Sequence, residues 1–239
     1  MFSKNRKAVI SVGWWLGIAC VGGLGLGFGA WGLSKTECAV RVEADRKFTL
    51  DVDIDTFRQI LVRTNATAAI IQHGGMELVN ETTEAVDIDL SNDSRPLRNF
   101  LRGKSKANVS ATKHLTLRIN DPQLNATELL LSQNCNIQPE KIHIVTSSEQ
   151  PAGELSAYNT ILEAVKAGNR IEVTLSMEMT VVVCVPRVFL PQAEARVQQA
   201  AEKAMEEQEA AIRSLVTKVD RSVAVLTNSK RQSSSHIAK

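Results

Sequence analysis

Histidine and cysteine are the residues of this chain best suited to bind a metal or act as nucleophiles, and their spacing decides whether they could do so together. The four histidines are scattered, and none has the spacing to a cysteine, an acid or another histidine that zinc sites show; they are His73, His114, His143 and His236. His114 and His143 fall in predicted strands, where the two rings could meet across a sheet. We predict no metal site and no cofactor.

Acidic residues are dense in two stretches, residues 51–55 (DVDID) and 86–89 (VDID). Acids that alternate along a strand usually form its solvent-facing side. A calcium loop also needs a glycine and a distant bidentate glutamate, which these stretches lack. No nucleophile elbow, phosphate loop or dinucleotide fingerprint occurs after the glycine-rich N-terminal segment. We therefore predict no catalytic residue and expect a non-enzymatic protein.

Three of the four cysteines, Cys38, Cys135 and Cys184, follow the N-terminal segment that contains Cys20. Their spacing fits no zinc pattern. In an oxidising compartment we expect Cys135 and Cys184 to form the disulfide. Two buried free thiols are the alternative.

Residues 8–33 contain no charged side chain over 26 positions. A membrane-spanning helix needs about 20 apolar residues, whereas the apolar core of a cleaved signal peptide has only about 7–15. We therefore predict a retained transmembrane helix over residues 8–33. Lys4, Arg6 and Lys7 precede it, so residues 1–7 are predicted to be cytoplasmic and the rest extracytoplasmic, that is, periplasmic, lumenal or extracellular.

Small residues recur at four-residue spacing within this predicted helix. Three overlapping GxxxG pairs are present, Gly13 with Gly17, Gly23 with Gly27, and Gly25 with Gly29. Glycines at this spacing allow two helix backbones to approach closely. They predict packing against another transmembrane helix, from a partner or from a second copy of the chain. The alternative is that glycine is simply common in membrane helices.

Residues 34–46 are predicted to be a linker, and residues 47–190 an α+β domain. Residues 47–54 alternate as a half-buried strand, Asp55 is the predicted N-cap of the helix pair that follows, and Gly74-Gly75 ends that pair. The next two segments are predicted to form a hairpin, 76–79 and 85–90, with Val86, Ile88 and Leu90 pointing inward. The further strands are predicted at 114–119, 127–131, 141–146 and 170–185, with a strand or short helix at 154–166.

A long C-terminal helix is predicted over residues 191–226, followed by a disordered tail at 227–239. Its first half carries small apolar residues suited to close packing on a sheet, namely Val197, Ala201 and Ala204. A sheet of ordinary strands is about 20 Å long and this helix about 50 Å, so its distal half should overrun the sheet. The larger apolar residues there are predicted to face a partner helix in a coiled-coil contact: Ile212, Leu215, Val216, Val219 and Val223.

Two segments, KFTLDVDIDTFRQIL and NRIEVTLSMEMTVVVCVPRVFLPQAEARVQQAAEKAMEEQEAAI, give the chain a resemblance over about residues 46–222 to the SRPBCC superfamily of START-like and polyketide-cyclase-like domains. The resemblance implies a helix-grip-like fold, in which a curved antiparallel sheet holds the last helix above a cavity for an apolar ligand. Val197, Ala201 and Ala204 would then line that cavity. The chain departs from the superfamily in a basic segment at 91–113, a longer final helix and the predicted anchor.

Charge excludes one class of partner. Of 28 lysines and arginines, three precede residue 8, which leaves 25 against 26 acids and a net charge of −1 for the remainder. A near-neutral domain has no electrostatic footprint for nucleic acid. Two functions remain, a membrane-anchored module that binds a lipid or other apolar small molecule, and a structural or assembly subunit of a membrane complex.

Overall fold

The computed structural model describes residues 36–63, 66–73, 77–91, 94–95, 98–99, 106–119 and 127–235. Seven strands are present in these residues: β1 Thr36–Leu50, β2 Glu77–Asp89, β3 Asn108–Ile119, β4 Thr127–Ile137, β5 Lys141–Ser148, β6 Leu155–Ala167 and β7 Arg170–Val185. The helices longer than one turn are α1 Ile54–Arg63, α2 Ala66–His73 and α3 Leu190–Ser235.

The strands form one antiparallel sheet in the order β1-β7-β6-β5-β4-β3-β2. The α1–α2 pair follows β1, and α3 follows β7 after a short 3-10 helix, Arg187–Phe189. α3 packs mainly on β1 and also contacts β7, α2 and α1. This α+β architecture confirms the predicted fold class of a helix-grip-like sheet with a long C-terminal helix.

The first strand begins at Thr36, so most of the predicted linker 34–46 belongs to the sheet. Its charges follow the strand alternation, with Arg41, Glu43 and Asp45 exposed and Val42 and Ala44 buried between them. The apolar residues between these charges are small, so the sequence gave only a weak indication of a strand here. Pairing with β7 along all fifteen residues of β1 stabilises this half of the strand.

The predicted hairpin over 76–79 and 85–90 is wrong, because 77–89 is one continuous strand paired with β3. Register shifts between Leu78 and Asn80 and between Thr83 and Ala85 absorb the residues that looked like a turn. The predicted inward direction of Val86, Ile88 and Leu90 is also wrong, because these side chains are 57%, 49% and 40% exposed. β2 is the last strand of the described sheet, where no further strand covers it.

The first helix is capped by Asp53 and not by the predicted Asp55. The Asp53 carboxylate accepts hydrogen bonds from the Thr56 backbone N–H at 2.9 Å and from the Thr56 hydroxyl at 2.7 Å. These bonds lower the pKa of Asp53 against the opposing effect of burial, which is the largest single contribution. Asp55 lies in the first helical turn and forms an ion pair with Arg58 at 3.5 Å.

The C-terminal helix is longer and packs further along the domain than predicted. Its backbone is helical to Ser235, so residues 227–235 of the predicted disordered tail are helix. Ile212 and Val216 are buried at 2% and 7% exposure, and Leu215 packs against the same core. The predicted partner face is therefore wrong for Ile212 and Val216. It stays a prediction for Leu215, which is only partly buried, and for Val219 and Val223, whose side chains lie outside the described ones.

The length of the strands explains why the distal part of α3 packs on the domain and does not overrun the sheet as predicted. β7 has sixteen residues and spans about 50 Å, more than twice the ordinary strand that the prediction assumed. The part of α3 from Leu190 to Val216 is about 40 Å long, so it fits on the sheet. The helix runs parallel to β1, with Gln198 donating to the Glu43 carbonyl and Arg213 to the Thr49 carbonyl.

The predicted transmembrane helix at residues 8–33, its glycine pairs and its orientation lie outside the described residues. Across the part of the chain that the structure describes, no helix is long and apolar enough to cross a bilayer.

Candidate functional site

A cavity of about 290 Å³ lies between the sheet, the α1–α2 pair and α3. α3 packs chiefly on β1, at one side of the sheet, and the cavity lies between this helix and the inner faces of β3 to β6. Alternate residues of these strands point to that inner face. The lining side chains are Leu61, Ala66, Thr67, Ile70, Ile71, Val109, Ala111, Lys113, Leu115, Leu117, Leu131, Gln133, Cys135, Ile137, Ile144, Thr146, Tyr158, Thr160, Ile161, Leu162, Leu175, Ala204, Glu207 and Gln208.

One of the three predicted cavity residues lines this space. Ala204 does so, followed along the same helix face by Glu207 and Gln208. Val197 and Ala201 are fully buried, but they pack in the core between α3 and the sheet and do not reach the cavity. The prediction placed the cavity too near the start of α3, because the first turns of the helix pack closely on the strands.

An ion pair lies at the β3 wall of the cavity. The Lys113 ammonium group donates to the Glu81 carboxylate of β2 at 2.6 Å, and the side chains are 27% and 20% exposed. Lys113 is cross-strand neighbour to Thr83 on one side and to Gln133 on the other. Lys113 and Leu115 are two residues apart on β3, so both side chains lie on the face that lines the cavity.

A small network of neutral polar groups adjoins this pair. The buried Gln133 amide donates to the Thr146 hydroxyl at 3.1 Å, and its oxygen accepts from the Thr67 hydroxyl at 3.3 Å. The Cys135 thiol also contacts that oxygen, at 3.7 Å. Burial raises the pKa of Cys135, with Lys113 opposing the shift, so the thiol is neutral at physiological pH.

A second polar group lies at the opposite wall. Tyr158 of β6 lines the cavity, and its hydroxyl hydrogen-bonds with Thr160 and with Gln208 of α3. Burial raises the pKa of Tyr158 to about 12. Glu207 is one residue away on α3, with one oxygen 3.8 Å from Lys203 and the other, Oε2, buried without a hydrogen-bond partner among the described residues.

His114 and His143, which could have met across a sheet, do not meet, because β3 and β5 are separated by β4. His114 instead lies on the outer face of β3 between two carboxylates. Its Nδ1 contacts Glu149, and its Nε2 lies 3.1 Å from Glu84, which sits at the β2 irregularity. Contact with Glu149, and then with Glu84, raises the pKa of His114. Among the described residues, no cluster of three or more histidine, cysteine or acidic side chains could hold a metal ion.

The predicted disulfide between Cys135 and Cys184 is wrong. Both are free thiols, as is Cys38. β4 and β7 are separated by β5 and β6, a distance of about 14 Å across the sheet, whereas the Cα atoms of a disulfide lie within about 7 Å. The two side chains also differ in setting, since Cys135 lines the cavity and Cys184 is exposed.

No family model and no curated protein matches this chain. Solved structures do. The aromatase/cyclase ZhuI of a Streptomyces species is 12% identical, with 75% of this chain and 96% of that chain covered at a TM-score of 0.43. A START superfamily protein of Mycobacterium smegmatis is 13% identical, with 74% of this chain and 98% of that chain covered at a TM-score of 0.43. A norcoclaurine synthase of Thalictrum flavum is 11% identical, with 77% of this chain and 98% of that chain covered at a TM-score of 0.38.

The structural neighbours of this chain thus include an aromatase/cyclase and a START superfamily protein. The likeness concerns the fold alone. The chemistry of the site has to be argued from the residues of this chain.

Proposed function

We propose that this chain is a binding module for an apolar small molecule, held in the cavity between the sheet and α3. The supporting observation is a partly open cavity of about 290 Å³ with largely aliphatic walls and two separate polar groups. Its volume lies at the lower end of small-molecule sites, which are mostly apolar with a few placed polar groups. The polar groups orient a ligand, and the aliphatic walls supply the free energy of binding.

A titration with N-phenyl-1-naphthylamine tests this function, because this neutral dye fluoresces when it enters an apolar site. The full chain is held in lipid nanodiscs, with empty nanodiscs as the blank. We expect saturable binding of one dye per chain. Fluorescence equal to the blank at all dye concentrations contradicts the proposal.

We further propose that the module is tethered to a membrane by residues 8–33, with its domain outside the cytoplasm. The uncharged run ends at Leu33, three residues and at most about 10 Å of chain before Thr36. Thr36 pairs with Val185, and Val188 and Phe189 follow just after Pro186 at 66% and 43% exposure. Exposed apolar side chains next to the membrane-proximal strand end suit contact with lipid.

Brominated-lipid quenching tests the tether in a chain in which Trp14, Trp15 and Trp31 are replaced by Phe. Phe189→Trp reports on the proposed contact, and Val165→Trp, exposed near the other end of β7, is the matched control. We expect bromolipids to quench the fluorophore at position 189 and not at 165. A chain that does not float with vesicles contradicts the tether itself. Flotation with equal quenching by aqueous acrylamide at both positions contradicts only the lipid contact.

An assembly subunit is the other function that the sequence suggests. Burial of Ile212 and Val216 within the domain removes part of its support. The glycine pairs of residues 13–29 still favour packing of the anchor against a second helix. Such packing is compatible with ligand binding by the domain.

A further inference from the structure

We infer that the ligand of the cavity carries a neutral hydrogen-bond acceptor, a carbonyl oxygen on an apolar body, that is bound by the Lys113 ammonium group. The inference rests on the proposed ligand-binding function and adds the chemical class of the ligand.

Lys113 is placed to donate into the cavity. Its side chain lines the β3 wall, between Ala111 and Leu115 in the strand alternation. A lysine ammonium has three donor hydrogens, and the contact with Glu81 uses one. Glu81 is the hydrogen-bond partner that the described residues supply to Lys113. Donor capacity therefore remains for a ligand.

The charge of this wall selects a neutral acceptor. Lys113 and Glu81 together carry no net charge, and the contact at 2.6 Å keeps the two charges paired. The Cys135 thiol beside them is neutral, and Gln133 is uncharged. A carboxylate ligand would be desolvated next to the Glu81 carboxylate without a free positive charge to match it. A carbonyl oxygen accepts from the ammonium without adding a charge.

An apolar ligand without an acceptor is also disfavoured at this wall. It would remove water from the remaining ammonium hydrogens and offer no replacement partner. A site built around a hydrogen-bonding group rejects the analogue that lacks the matching group, because the buried donor is left unsatisfied. The Lys113 donor therefore discriminates against the hydrocarbon, and its pairing with Glu81 discriminates against the acid.

Three probes of similar shape test this selectivity by displacement of N-phenyl-1-naphthylamine from the full chain in nanodiscs. They are 2-acetylnaphthalene, 2-isopropylnaphthalene and 2-naphthoate, which differ in presenting a ketone, a hydrocarbon and a carboxylate. We expect the ketone to bind about tenfold more tightly than the hydrocarbon, the equivalent of one net hydrogen bond. 2-Naphthoate should bind most weakly.

Two variants assign the selectivity to the ion pair. Lys113→Met should bind ketone and hydrocarbon equally, with hydrocarbon affinity retained. Glu81→Gln leaves the ammonium charge unneutralised, so 2-naphthoate affinity should rise about tenfold or more. Lys141→Met is the matched control, because Lys141 forms a cross-strand ion pair with Glu163 at 2.8 Å outside the cavity. It should leave all three affinities unchanged.

Equal affinity of the wild-type chain for ketone and hydrocarbon overturns this inference and leaves the binding function intact. A ketone preference that survives Lys113→Met overturns it as well. Loss of Lys113→Met to misfolding, detected by circular dichroism, leaves Glu81→Gln to decide, and an unchanged affinity for 2-naphthoate there counts against the inference. Failure of the dye and all three probes to bind contradicts the proposed function itself.

Discussion

At the scale of single residues, the site consists of polar side chains on the face of a strand whose other residues are apolar. Lys113 alternates with Leu115 and Leu117, and Gln133 follows Leu131 by two residues on the same face. A polar residue at a position where the alternation predicts an apolar one is visible in the sequence, and it is the signal that identifies the cavity wall. Histidine, cysteine and glycine motifs carry no trace of this site, because its polar residues stand out only as breaks in the apolar pattern of the strands.

Tyr158 is the single tyrosine of the chain, so its ionisation can be followed directly by ultraviolet absorbance. Its folded-state pKa of about 12 exceeds the usual value near 10, since burial disfavours the phenolate. We expect phenolate absorbance at 295 nm to rise around pH 12 in the folded chain and around pH 10 in urea. Between these values the unfolded state binds fewer protons, so stability present below pH 10 is lost as pH rises through 12. A folded-state midpoint near 10, with unchanged far-ultraviolet circular dichroism, would show that Tyr158 is open to solvent.

The position of His114 between Glu149 and Glu84 predicts a second pH dependence. Its pKa is raised in the folded state, so its contribution to stability is complete below about pH 6.5 and is lost as pH rises through the folded-state pKa. We expect the difference in Tm between the wild-type chain and His114→Gln to be largest near pH 6 and to shrink toward pH 8. A difference that does not change over this range would mean that the two carboxylates do not act on the imidazole.

At the scale of elements, the contact between β1 and α3 determines how the helix is seated. Arg46 bonds to Glu206 at 3.2 Å and to Glu209 at 3.0 Å, and the Arg213 guanidinium lies 4.9 Å from the centre of the Phe48 ring. Ion pairs of an exposed side chain such as Arg46 contribute little individually, because solvent screens them. The stabilising part of the contact is the burial of α3 side chains from Val197 to Val216.

Truncation measures how far the core extends along α3. Ending the chain after Gln208 removes Ala211, Ile212 and Val216, all buried. Complete burial of an Ile or Val contributes about 1.5–3 kcal/mol, so the loss should be several kcal/mol out of a typical 5–15. We expect this chain to be unfolded or to melt at a much lower temperature. Ending the chain after Lys218 keeps these residues and should leave Tm nearly unchanged, and equal Tm values for the two truncations would contradict the assignment.

Element types were predictable where the apolar period was unbroken. The alternation from Ile171 to Met179 gave the bounds of β7, and the run of helix formers after Pro191 gave α3. Prediction failed where tertiary pairing outweighed local pattern. β1 was extended by pairing with β7 through a charged stretch, and the two halves of β2 were joined by their common partner β3.

At the scale of the whole molecule, the cavity results from the position of α3 together with an aliphatic interior. Aromatic residues make up only 4% of the chain, so few large rings are available to fill the space between the helix and the inner faces of β3 to β6. The resemblance implied that a cavity exists. Which turn of α3 borders it depends on the length of the sheet and on the seating of the helix along β1. The seating of the helix depends on tertiary contacts and is not encoded locally, so the predicted lining extended from Ala204 back to Val197.

The most direct test of ligand binding in this cavity is to fill it from α3. Ala204 lines the cavity, whereas Ala210 is exposed on the same helix, so Ala204→Leu and Ala210→Leu make the same chemical change at two sites. We expect Ala204→Leu to retain its Tm, because the added atoms enter empty space, and to weaken binding of N-phenyl-1-naphthylamine about tenfold or more. Ala210→Leu should bind the dye like the wild-type chain. Unchanged dye affinity in a folded Ala204→Leu chain would contradict the account.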